Sequence, residues 1–147
     1  MSRESHNMAC KKWREANSDY YSRWQKENRD KTDLNNRKYQ STIQYQSKYV
    51  LREIKKKRDK DTDLTVEFLI ALWDSQKGLC SITSKYMDLS KGRGLKPNTP
   101  SLDRIDSTVG YKQGNVRWLC MCVNMLKGKM SDAEMKEWAL AIVKGLQ

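Results

Sequence analysis

From residue 10 to residue 60 the chain contains neither glycine nor proline, and its apolar positions return at helical intervals. Tyr39, Ile43, Val50 and Ile54 form one stripe, and stripes of this spacing usually face a core. They are expected to dock a helix on the C-terminal part of the chain. Ahead of them, WREANSD at 13–19 recurs as WQKENRD at 24–30. The offset of eleven residues is about three helical turns, which predicts one face shared by Trp13, Asn17, Trp24 and Asn28. Two copies are too few for a solenoid.

Past residue 62 the pattern changes. Phe68, Leu69, Leu72 and Trp73 predict a helix capped by Asp63 or Thr65 and ended by Gly78. LCSITSKYMDL at 79–89 reads as a short hairpin or strand pair. KGRGLKPNTP at 91–100 holds both prolines and reads as a loop. Residues 101–105 and 116–120 are strand-like, with a turn around Gly110 and Gly114. Asn124 is expected to open a short helix. SDAE at 131–134 is a capping box that opens the last one, which carries Met135, Trp138, Ile142 and Val143. Trp118 and Trp138 are assigned to the core. These elements make the fold α+β: a helical arm over 1–62 and a compact domain over 63–147.

Charge sharpens this division. The 147 residues carry a net +11. Residues 1–62 hold 17 Lys/Arg against 9 Asp/Glu, a net +8, while residues 63–147 hold 12 against 9, a net +3. The basic field therefore belongs mainly to the arm, which points to a polyanionic partner. Trp13, Tyr20, Tyr21, Trp24, Tyr39, Tyr45 and Tyr49 are interleaved with these charges. A disordered basic tail would be poor in such rings, so nucleic acid is favoured over a membrane surface. No apolar run approaches transmembrane length and the N-terminus has no signal-peptide apolar region, so an intracellular, cytoplasmic protein is expected. Cys10, Cys80, Cys120 and Cys122 do not form a secreted disulfide pattern, and reduced thiols are expected.

The candidate chemistry lies in 101–127. Phosphodiester hydrolysis needs a divalent cation on oxygen ligands, a base for the water, and cations for the transition state. A hairpin leading into a helix can bring an Asp of its first strand beside an Asn of the helix, and Asp103 and Asn124 hold those positions. Asp103 and Asp106 also suit a plainer role as turn formers.

Four blocks occur in order: GLCSIT at 78–83, SLDRID at 101–106, GYKQGNV at 110–116 and VNMLK at 123–127. Together they resemble the HNH, or ββα-metal, endonucleases, in particular the small versions common in bacteriophages, over about residues 64–143. The resemblance implies a ββα-metal core and a DNA endonuclease that uses Mg²⁺ or Mn²⁺. Asp103 and Asn124 would be the metal ligands, and Asn115 the residue that braces the loop. Arg104 and Lys127 would contact phosphate, and duplex or branched DNA would be the partner.

Two departures limit the resemblance. The residue after the metal Asp is ordinarily the His that activates water, and here it is Arg104, which stays protonated and cannot act as the base. The single histidine of the chain is His6. Asp106 or a metal-bound hydroxide remain as bases, and some relatives carry a His where this chain has Cys120. Zinc-containing relatives have two Cys pairs, whereas here the pairs read Cys80 with Thr83 and Cys120 with Val123. Two good donors cannot make a tetrahedral site, so no structural zinc is expected and both cysteines should be buried as small hydrophobes. Loss of the base leaves an alternative from another class, a catalytically silent HNH-like DNA-binding protein. A third, RNA binding by stacking on the arm's rings, is also open.

Overall fold

The computed structural model describes residues 3–57, 59, 61–90 and 96–146. Lys91 to Leu95 of the expected loop, Arg58 and Lys60 of the basic run, and the side chain of Tyr21 lie outside the described residues. The fold is α+β. Its element order is α1 (Arg3–Ala16), α2 (Ser18–Gln40), α3 (Ile43–Lys57), α4 (Val66–Ser75), β1 (Pro100–Arg104), β2 (Val116–Cys120), α5 (Met121–Lys127) and α6 (Asp132–Gly145).

The chain divides into a first unit, Met1–Lys38, and a second, Tyr39–Gln147. The boundary expected at 62/63 thus falls inside the second unit, because α3 is part of its core. Ile54 is 3 % exposed, and Ile43, Val50 and Leu51 pack against the same cluster. The helical stripe read from the sequence is this packing surface.

In the first unit, the stretch that carries the repeat forms two helices, α1 and α2, with a break at Asn17. The repeat has a local meaning there. Asn17 Nδ2 donates to the Trp13 carbonyl at 2.8 Å, and Asn28 Nδ2 donates to the Trp24 carbonyl at 2.9 Å. Each copy is therefore one turn in which the Asn side chain bonds the carbonyl four residues back. Trp13 and Tyr20 meet edge to face across the break, with ring centroids 5.7 Å apart.

In the second unit, Thr42 Oγ1 accepts the Tyr45 amide and caps α3. Of the two expected caps of α4, Thr65 is the one used, and its side chain accepts from the Phe68 amide. Gly78 follows at φ +69°, packed so closely that a Cβ would lie 3.2 Å from the Trp73 ring. The 79–89 segment closes through a single antiparallel bridge, Leu79 with Tyr86.

β1 and β2 pair antiparallel, with Leu102 opposite Trp118 and Asp103 opposite Arg117. Side chains alternate across a strand, so the hairpin has two unlike faces. One carries Leu102 and Trp118; Trp118 meets α4, where its Nε1 donates to the Leu69 carbonyl and its ring stands edge-on to Trp73. The other carries Ser101, Asp103, Arg117 and Leu119 towards α5 and α6. Trp118 and Leu119 are both fully buried.

Two expectations about helices are corrected. Asn124 does not open α5; the helix begins at Met121, directly after β2. Its first free amides find acceptors outside the helix: Met121 N donates to Thr99 O and Cys122 N to Pro97 O. Trp138 is not core. Of the α6 stripe, Met135 is buried, whereas Trp138 is 62 % exposed and Ile142 and Val143 are exposed with it. Ser131 does form the capping box with Glu134.

Candidate nucleic-acid interface and the Asp103 cluster

The β1–β2 connection is held from within and from outside. Inside it, Asn115 Oδ1 accepts the Asp106 amide, while its Nδ2 donates to the carbonyls of Asp106 and Gly110, each at 3.0 Å. One side chain thus ties the two ends of the loop together. From outside, Asp59, Thr62 and Asp63 bind it. Asp59 Oδ2 accepts the Tyr111 amide at 2.9 Å, Thr62 donates to the Tyr111 carbonyl, and Asp63 Oδ1 accepts the Gln113 amide at 2.9 Å. Gly110 leaves room for this contact, because an added Cβ would sit 2.5 Å from Asp59 Oδ2 and push that side chain aside. The sequence alone shows 59–63 only as the arm's end. The signal it contains is the pair of acceptor side chains, Asp59 and Asp63, that take the amides of the connection.

Gln76 carries no sequence signal of its role. Its Oε1 accepts the Trp118 amide and its Nε2 donates to the carbonyls of Trp118 and Leu79, each at 2.9 Å. It stands in for a third strand along the outer edge of β2.

Asp103 lies on the face covered by α5 and is 4 % exposed. Arg117 Nε donates to its Oδ2 at 3.0 Å, and Lys127 Nζ to its Oδ1 at 3.2 Å. Lys127 is itself fully buried and donates also to the Arg104 carbonyl at 2.9 Å. Arg117 turns its terminal nitrogens to Asp132, at 2.7 and 2.5 Å. The four charges form a chain, Asp132–Arg117–Asp103–Lys127, that sums to zero. Contact with Asp132 raises the Arg117 guanidinium further above its ordinary range, and Arg117 in turn holds Asp132 below the usual carboxylate range.

Asn124 sits one helical turn before Lys127 and faces the same strand. Its Nδ2 donates to Ser101 Oγ at 2.8 Å and to the Leu102 carbonyl at 3.3 Å. Asn124 and Lys127 are thus both brought to β1 beside Asp103, whereas Arg104 and Asn115 belong to the loop side. Lys127, expected at a phosphate, points into the protein. Arg104, by contrast, stays partly exposed. Its guanidinium lies over the Tyr111 ring, 5.2 Å from the centroid, with a hydrogen bond to Val109 O at 3.4 Å. It borders an open, mostly polar hollow shared with Asp59, Thr108 and Gly110.

A resident Mg²⁺ does not fit this donor set. The ion demands near-octahedral oxygen ligands close to 2 Å and keeps several waters. Both Asp103 oxygens are already taken by side-chain cations, the carboxylate is almost inaccessible, and Asn124 offers β1 its N–H rather than its oxygen. Among the described residues no three of His, Cys, Asp or Glu gather where they could hold a metal. Asp106 is poorly suited as a base. Hydrogen bonds from the Thr108 hydroxyl and amide hold its carboxyl below the usual range. His6 lies on α1, with Nε2 3.6 Å from Cys10 Sγ.

Cys80 and Cys120 are 1 % and 2 % exposed. Burial and the neighbouring Cys80 thiol push the Cys120 thiol up to about 11. For Cys80, burial acts in the same direction but is outweighed by hydrogen bonding, chiefly with Thr83, and the thiol is lowered.

No described helix is long and apolar enough to cross a membrane. The chain matches no family model, no curated protein and no solved structure.

Proposed function

We propose that this is a DNA-binding protein built on an HNH-like hairpin and helix, in which the position of the family's metal ligand has become structural. The observation that carries the binding role is the presentation of aromatic rings in the basic half of the chain. Trp13, Tyr20 and Trp24 are 51 %, 53 % and 47 % exposed, on helices from the stretch that holds a net +8. Cations meet phosphates, and each ring offers a face on which a base can stack. On the hairpin, Arg104 presents its donors over Tyr111 for a further phosphate. Fluorescence anisotropy with labelled duplex DNA tests this reading. Binding should weaken steeply with salt, and the Trp13→Ala/Trp24→Ala variant should bind several-fold more weakly. Binding that ignores both salt and these rings would refute it. Stronger competition by single-stranded RNA than by duplex DNA would move the partner to RNA.

A second reading, metal-dependent DNA endonuclease, is favoured by one feature. α5 follows the hairpin directly and brings Asn124 to the face that holds Asp103, which is the arrangement the HNH resemblance implies. Plasmid nicking with Mg²⁺ or Mn²⁺ by the wild-type chain, lost in an Asn124→Ala variant that still melts as a folded protein, would establish it. Protein that binds plasmid and never nicks it would leave the first reading standing.

A further inference from the structure

We infer that Arg117 and Lys127 take the place of a divalent cation at Asp103, so that an ionic lock, buried at Asp103 and Lys127 and reaching the surface at Asp132, and no metal, fastens α5 and α6 to the hairpin. The inference rests on the HNH-like reading only for where a metal would be expected. The lock itself is defined by the side chains.

Each member of the chain comes from a different element: Asp103 from β1, Arg117 from β2, Lys127 from α5 and Asp132 from α6. A metal bound by Asp103 and Asn124 would tie β1 to α5 alone. The lock reaches one helix further, because Arg117 spans Asp103 and Asp132 with three of its donors. Two side-chain cations supply the same +2 that a divalent ion would. A metal arriving as well would leave a buried excess of positive charge, which is strongly disfavoured. Lys127 cannot swing aside to admit one without leaving the Arg104 carbonyl and opening a buried space. Removing one partner strands the other inside the protein.

Thermal melting of the full chain separates lock from metal site. Asp103→Asn should lower the midpoint by about 10 °C or more, and Lys127→Met by a similar amount. The double variant should fall by clearly less than the two shifts added, because each single change already breaks the same ion pair. Millimolar Mg²⁺ or Mn²⁺ should move the wild-type midpoint no further than it moves that of Asp103→Asn. Should either single variant fail to fold, Mn²⁺ electron spin resonance on the wild-type chain without DNA decides the matter: all added ion should remain free. A bound Mn²⁺ signal, a metal-dependent rise in the wild-type midpoint that Asp103→Asn lacks, or strictly additive shifts would overturn the lock. Failure to bind DNA would refute the proposed function and leave these results untouched.

Discussion

Gly110 and Gly114 look alike in the GYKQG block, yet they are glycine for different reasons. At Gly110 the obstacle is steric: an added Cβ would meet Asp59 Oδ2 at 2.5 Å, and that oxygen already accepts the Tyr111 amide. Gly110→Ala should therefore cost about 1–3 kcal/mol, because Asp59 must shift. At Gly114 nothing lies within 4 Å, but φ is +85°. Gly114→Ala should cost about 1–2 kcal/mol, from the backbone alone. Urea unfolding of the two variants in an Asp59→Ala background distinguishes them. The Gly110→Ala penalty should shrink there, and the Gly114→Ala penalty should not. Acid sensitivity also belongs to single residues. Asp88, with Ser90 and Lys96 donating to it, is held down to about 2, and Asp106, Asp132 and Glu134 are lowered as well. Lowered carboxylates contribute stability that is complete above about pH 4 and is lost as pH falls through the folded-state values. Urea midpoints should therefore drop on the acid side. Asp88→Asn and Asp132→Asn should each flatten that decline, and an unchanged slope in both would contradict the assignment.

Elements of this chain were legible in the sequence where their signals are local. Thr65 and Ser131 each sit just before an apolar helical stripe and accept the amide three residues on, at Phe68 and Glu134. Thr65→Ala and Ser131→Ala should each destabilise by about 1 kcal/mol, measured by urea unfolding. The start of α5 was not legible, because its amides are satisfied by the carbonyls of Pro97 and Thr99, more than twenty residues upstream. For the same reason the sequence could place Asp103 and Asn124 near one another but could not tell that Lys127 turns inward. Whether a lysine one turn along a helix meets solvent or a buried carboxylate depends on which strand residue lies beneath it. Arg117 was not within reach by register alone: a pairing centred on the Gly110–Gly114 turn would set 121 opposite 103, and it is the Asn115-braced connection that brings 117 there, where facing opposite charges attract. Trp138 misled because an apolar stripe shows which side of a helix is sticky without showing that anything covers it.

At the scale of the whole molecule, the position of the unit boundary has a direct consequence. The charge change near residue 62 marks where basic residues thin out, whereas folding units are defined by burial, and the two need not coincide. Ile54 is in the core, Ile43, Val50 and Leu51 pack on it, and Gln46 Nε2 donates to the Pro100 carbonyl at 3.2 Å. A chain beginning at Tyr39 should keep all of this packing and melt cooperatively at close to the full-length temperature. A chain beginning at Asp63 loses α3, together with the Asp59 and Thr62 bonds to the β1–β2 connection. Losing buried Ile54, at about 2–5 kcal/mol, together with the half-buried Ile43, Val50 and Leu51 and the bonds to the connection, is comparable to the whole stability of a typical small domain, so this shorter chain should be unfolded or aggregate. DNA binding then divides along the same line. Removing residues 1–38 takes away Trp13, Tyr20 and Trp24 and ten of the arm's seventeen Lys/Arg, while Arg104 and the hairpin remain. The slope of log affinity against log salt falls by about 0.9 for each phosphate that is no longer neutralised. The chain from Tyr39 should therefore bind DNA more weakly and with a shallower slope, at nearly unchanged melting temperature. An equal slope would place the phosphate-binding cations on the second unit and leave the first without a role in binding.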